Sequence, residues 1–153
     1  MSKKFEFRLQ KALDWYRQSL SAEKAKLQRI IAEIHELDRT LESVERRRLQ
    51  EQARFQGGGE FLGRDFAGLT AYLGSIRDEI LRLKATRVRA QTRMAEQRRQ
   101  VASGHRRVRL LEQLEARRRS DWILEAAVEE DAQASDLFLA AMVRNAGAKG
   151  GEA

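Results

Sequence analysis

The side chains best suited to act on another molecule in this 153-residue sequence are arginines. They cluster as Arg46-Arg47-Arg48, Arg98-Arg99, Arg106-Arg107 and Arg117-Arg118-Arg119. From Arg77 to Arg119 there are 14 Lys/Arg against 5 Asp/Glu, a balance of +9. From Ser120 to Ala153 there are 2 against 7, a balance of −5, and residues 1–76 hold 14 against 11, which returns the net +7. Such charge runs coat solvated helix faces, or they meet an acidic protein or a phosphate backbone.

Other chemistry is sparse. The chain has no Cys, which removes disulfides and thiolate metal sites. His35 and His105 lie on different runs without clustered carboxylates, so they read as solvated or seam-flanking residues, and no metal or cofactor is expected. Gly57-Gly58-Gly59 lacks the Gly-Lys-Ser/Thr ending and the preceding strand of a phosphate-binding loop. Most carboxylates alternate with Arg and Lys at helical spacings, as i,i+4 pairing on an exposed face requires. No group of residues is suited to catalysis, so the expectation is a non-enzyme. A nucleic acid could follow the basic stretch. Against it, the few aromatics do not alternate with the cations as stacking platforms would, and the acidic tail competes for them, so no nucleic acid is expected.

Two long heptad runs must position these residues. Ala, Glu, Lys, Leu and Arg supply 85 residues, and there is no Pro. That bias points to long helices or coiled coil, and interior Pro would cost about 3 kcal/mol. The first seam reads Leu9, Leu13, Tyr16, Leu20, Glu23, Leu27, Ile30, Ile34, Leu37, Leu41 and Val44, with Glu23 its one polar member. Beyond it stand Arg48 and Glu51, then Phe55. The second reads Phe66, Leu69, Leu73, Ile76, Ile80 and Leu83, then Arg87, Ala90, Met94, Gln97, Val101, Gly104, Val108 and Leu111. Alternating three- and four-residue spacings put each set on one helix face. The expected fold is therefore all-α, a long antiparallel two-helix coiled-coil hairpin. Helix 1 is expected over about 5–55, a glycine turn over 56–65 and helix 2 over about 66–143. Residues 1–145 form a single hairpin in this reading, with 146–153 a disordered tail. Gly104 is read as a tolerated glycine that weakens the helix by about 1 kcal/mol relative to Ala.

Folding about residue 59 sets Leu9 near Leu110 and leaves everything after about Leu114 without a partner. That overhang holds Trp122, Ile123, Leu124, Val128, Leu137, Phe138, Leu139 and Met142, which suggests a fold-back or a docking surface. Lys3, Lys4, Glu6, Arg8 and Lys11 break up the opening segment as a signal peptide. No stretch approaches the roughly 20 apolar residues of a membrane span, so a soluble, cytoplasmic chain is expected.

The ends of the chain carry a more specific signal. Phe5-Glu6-Phe7-Arg8-Leu9-Gln10-Lys11-Ala12-Leu13 resembles the F-x-F-x-L-Q-x-x-L opening of the bacterial flagellar export protein FliJ family. Leu111-Glu112-Gln113-Leu114 followed by Arg117-Arg118-Arg119 is similar to that family's L-E-x-L-x-x-[KR] segment. Asp136-Leu137 falls where many members have Asp-Glu, with Leu137 a departure from that pair. The resemblance implies a stalk-like coiled coil of the flagellar type III export apparatus, active in flagellum assembly and motility. Its implied partners are the ring-forming export ATPase, which it would stimulate, the export-gate membrane protein and the flagellar substrate chaperones that it would escort. The implied location is the cytoplasm and the cytoplasmic face of the inner membrane. Carried onto this sequence, the ATPase-binding candidates are Phe5, Phe7, Arg8, Lys11, Arg117, Arg118, Arg119 and Trp122. The export-gate candidates are Leu41, Val44, Arg48, Tyr72 and Ile76, of which Leu41, Val44 and Ile76 also occupy seam positions. A virulence type III secretion stalk and a basic coiled coil that binds nucleic acid remain alternatives.

Overall fold

The computed structural model describes residues 3–56 and 63–151. It contains two helices packed against each other and, among the described residues, no strand. The all-α helical hairpin follows. α1 spans Gln10–Gln56 and α2 spans Gly63–Gly150. The expected glycine turn at Gly57 to Gly59 lies outside the described residues.

The end of α1 falls where expected, and the other three boundaries depart from expectation for local reasons. Residues 5–9 are not helical; Gln10 N–H closes a turn onto the Phe7 carbonyl at 3.0 Å, and Leu13 N–H reaches the Leu9 carbonyl at 2.9 Å. The first turn of α1 has no acidic residue, and Lys3, Lys4 and Arg8 precede it. Cations at the positive end of the helix dipole disfavour extending the helix backward. α2 starts three residues before the expected Phe66, with Asp65 in its first turn, where negative charge is favoured. The disordered tail expected over 146–153 is corrected as far as Gly150, to which α2 continues, and residues 152–153 lie outside the described residues. Gly147 and Gly150 each weaken a helix by about 1 kcal/mol relative to Ala without forbidding it. Ala146, Ala148 and a last-turn Lys149 favour it.

The expected single hairpin divides into two compact units. One comprises Met1–Tyr16 and Arg106–Ala153, the other Arg17–His105. In the second unit the cross-helix partners run in opposite directions. Gly104 meets Leu20, Gln97 meets Glu23, Arg93 meets Glu33, Arg87 meets Asp38 and Glu79 meets Arg47. The segments are therefore antiparallel, and each pair of residue numbers sums to between 120 and 126. The Phe55 and Phe66 rings, 5.5 Å apart, pair the end of α1 with the start of α2.

The core of this unit is the stripe that the heptads specify. Val44, Ile76 and Ile80 are buried together, with Leu41 and Leu83 packed against them, and Leu20, Ile34 and Ala90 are buried further along. No polar or charged residue among those described is fully buried. The polar seam residues instead find one another. Gln97 Nε2 donates to the Glu23 main-chain carbonyl at 2.9 Å and to the Glu23 carboxylate. Arg87 Nε stands 2.6 Å from Asp38 Oδ1, an ion contact whose N–H direction falls short of a hydrogen bond. On the seam's flank, Arg93 donates to Glu33 at 2.7 Å, and that hydrogen bond holds the Glu33 carboxyl below its ordinary range.

Gly104 has a steric role that spacing alone did not reveal. A Cβ there would stand 3.1 Å from Leu20 Cδ1, so the missing side chain makes room for Leu20. A bulky residue would overpack the seam, at a typical cost of about 1–3 kcal/mol. Gly104→Leu should therefore lower the thermal unfolding midpoint followed by circular dichroism. Ile76→Ala, which opens a cavity at a site 2 % exposed, should cost about 2–5 kcal/mol in denaturant unfolding.

Candidate functional site

In the first unit, Leu13 is fully buried and Val108 nearly so, and together they begin the packing of α1 on α2. N-terminal to α1, Phe5 to Arg8 run over α2 as irregular backbone. The Phe5 ring sits 6.0 Å from the Trp122 ring at 58°. The Arg119 guanidinium lies 5.0 Å from the Phe5 centroid, within cation–π range, and approaches Glu115 at 3.4 Å. The ring is therefore held between an indole and a cation one helical turn apart.

This strap leaves an open groove on each side. One, of about 510 Å³, runs between Phe5 to Leu9 and Leu114, Arg118, Asp121, Trp122 and Glu125. The other, of about 680 Å³, lies between Phe5 to Arg8 and Gln10, Lys11, Glu115 and Arg119. Aromatic floors edged with both signs of charge suit a peptide or helix surface that carries apolar and charged side chains. No group of three or more potential metal ligands is present among the described residues.

Seven of the eight ATPase-binding candidates line these grooves: Phe5, Phe7, Arg8, Lys11, Arg118, Arg119 and Trp122. Arg117 lines neither. Phe7 is half-buried, and the other six divide by environment. Phe5, Trp122 and Arg119 pack on one another and hold the strap, whereas Arg8, Lys11 and Arg118 are exposed. Sequence reasoning missed Leu114, Glu115, Asp121 and Glu125, because it ended the internal contacts at Leu114. The signal was present, since Leu111, Glu115, Trp122 and Ala126 continue the seam spacing and are all half-buried.

The export-gate candidates require correction. Val44 and Ile76 are 1 % and 2 % exposed and form the core of the second unit, with Leu41 packed on them. A side chain closed inside the seam cannot form an open docking patch. Arg48 is half-buried, with its Nε enclosed and without a hydrogen-bond partner. Tyr72 alone of the five is exposed, at 40 %.

The strap can be tested through Trp122. The second tryptophan, Trp15, is 61 % exposed and can be removed as Trp15→Phe. In that background Phe5→Ala should shift the Trp122 emission to the red and increase its quenching by iodide. Unchanged emission would mean that the strap does not cover the indole. No family model, curated protein or solved structure matches this chain.

Proposed function

We propose that this chain is a non-enzymatic coupling component of flagellar type III protein export. In this reading it binds and stimulates the export ATPase through the grooved first unit. One observation carries the proposal: the two motifs that resemble the FliJ family, at Phe5–Leu13 and Leu111–Arg119, lie some hundred positions apart in sequence but meet across the same grooves. Aromatic residues and one arginine fix the strap, which leaves Arg8, Lys11 and Arg118 to contact an acidic surface on the ATPase. A helical hairpin supports this role, since a coupling element needs a stiff seam more than an enclosed pocket.

The gate and chaperone roles implied by the resemblance belong to the same proposal. Of the gate candidates, Tyr72 is the residue we retain, since an exposed aromatic can act as an anchor. No helix among the described residues is long and apolar enough to cross a membrane. Contact with the cytoplasmic face of the inner membrane would then come through the gate.

The purified chain should raise the hydrolysis rate of a flagellar export ATPase and bind it in sedimentation. The triple variant Arg8→Glu, Lys11→Glu, Arg118→Glu should lose most of that stimulation while its helicity stays unchanged. Full stimulation by a normally helical triple variant would remove these residues from the role. Salt-sensitive duplex binding without any effect on the ATPase would favour the nucleic-acid alternative.

A further inference from the structure

Beyond the grooves, α2 carries a second heptad on the face turned away from α1. It reads Arg106, Leu110, Gln113, Arg117, Ser120, Leu124, Val128, Asp131, Ser135, Phe138 and Met142, and every member is exposed. At 100° per residue these positions cluster about Leu124, opposite Val108, Leu111, Trp122 and Ala126, which face the strap and α1. The large apolar members are Leu110 at 66 %, Leu124 at 62 %, Val128 at 68 %, Phe138 at 66 % and Met142 at 54 % exposure. Sustained spacing of three and four is the pattern of a coiled-coil seam, and an outward-facing one has no occupant within the chain.

The stripe is complementary to itself when reversed. Setting two copies antiparallel with Leu124 on the two-fold axis pairs positions whose numbers sum to 248. Leu124 then meets its own copy, Leu110 meets Phe138, and Gln113 meets Ser135. Arg117 meets Asp131 twice, once on each side of the axis. Ser120 meets Val128, and Arg106 lies beside Met142. The Leu124 layer and the two Leu110–Phe138 layers are apolar on both sides, and Arg117 of the basic arm of α2 faces Asp131 in the acidic arm of the other copy. A two-fold interface demands this correspondence of i with j and of j with i.

We propose that this face is a dimerisation surface whose occupant is a second copy of the chain, joined through antiparallel α2 pairing about Leu124. The paired stretch, Arg106 to Met142, covers 36 steps of 1.5 Å rise, about 54 Å of helix. It gives a role to Arg117, which lines neither groove. It also covers Phe138 and Met142 and takes up Asp131 from the acidic segment, without using the groove cations.

The test uses the full chain alone, so it is independent of the ATPase reading. At about 100 μM, a loading that populates dimers of micromolar Kd, sedimentation velocity should give a species of twice 17.6 kDa. Leu124→Glu places two carboxylates on the axis and should raise the dimer Kd at least tenfold with helicity unchanged. Arg117→Asp should weaken the dimer, and the double variant Arg117→Asp, Asp131→Arg should restore it. Because the chain has no Cys, Leu124→Cys should form a disulfide-linked dimer on mild oxidation, while Ala140→Cys, on the groove side of α2, should not. A monomer at that concentration would overturn the proposal. So would a dimer indifferent to Leu124→Glu, or equal cross-linking at the two cysteine positions.

Discussion

The constraint on which the rest depends is the narrowness of a two-helix seam. Each helix offers its partner a single stripe, so only the central residues of that stripe can be closed from water. Leu13, Leu20, Ile34, Val44, Ile76, Ile80, Ala90 and Val108 reach that state. Every other described residue stays at least partly solvated, and a polar residue at a seam position can remain if it finds a partner across the gap. Glu23 with Gln97 and Asp38 with Arg87 do so. These pairs also favour one register, because sliding the helices would strand a charge at the edge of an apolar layer.

The same narrowness shapes the surface near the chain ends. The recesses near the chain ends arise from irregular backbone lying over a helix. Phe5 anchors that backbone between Trp122 and Arg119, and the grooves flank it. Neighbouring residues thereby take different environments. One arginine of the triplet braces the strap, one edges a groove, and one faces outward.

Much of the fold was legible in the sequence. The heptads identified the buried face of both helices, including the continuation through Arg87, Gln97 and Gly104, because a buried stripe must recur every 3.5 residues whatever lies opposite. The candidate site was legible as a set of residue types but not as an arrangement. Phe5 and Phe7 were identified, whereas Asp121 and Glu125 were not, since an irregular segment carries no periodicity that would pair it with α2. Two of the export-gate candidates are closed to a partner for the converse reason, as Val44 and Ile76 are seam residues first and the seam encloses them.

The sequence by itself therefore determined the helical class, the seam faces and the uneven charge along α2, all of which follow from local periodicity and composition. Only the tertiary structure decided where helix gives way to the strap before Gln10 and which arginine meets the Phe5 ring. It also decided that Gly104 is space for Leu20, and which face of α2 stays open. These outcomes depend on what stands opposite each residue across the seam, and no local pattern contains that information.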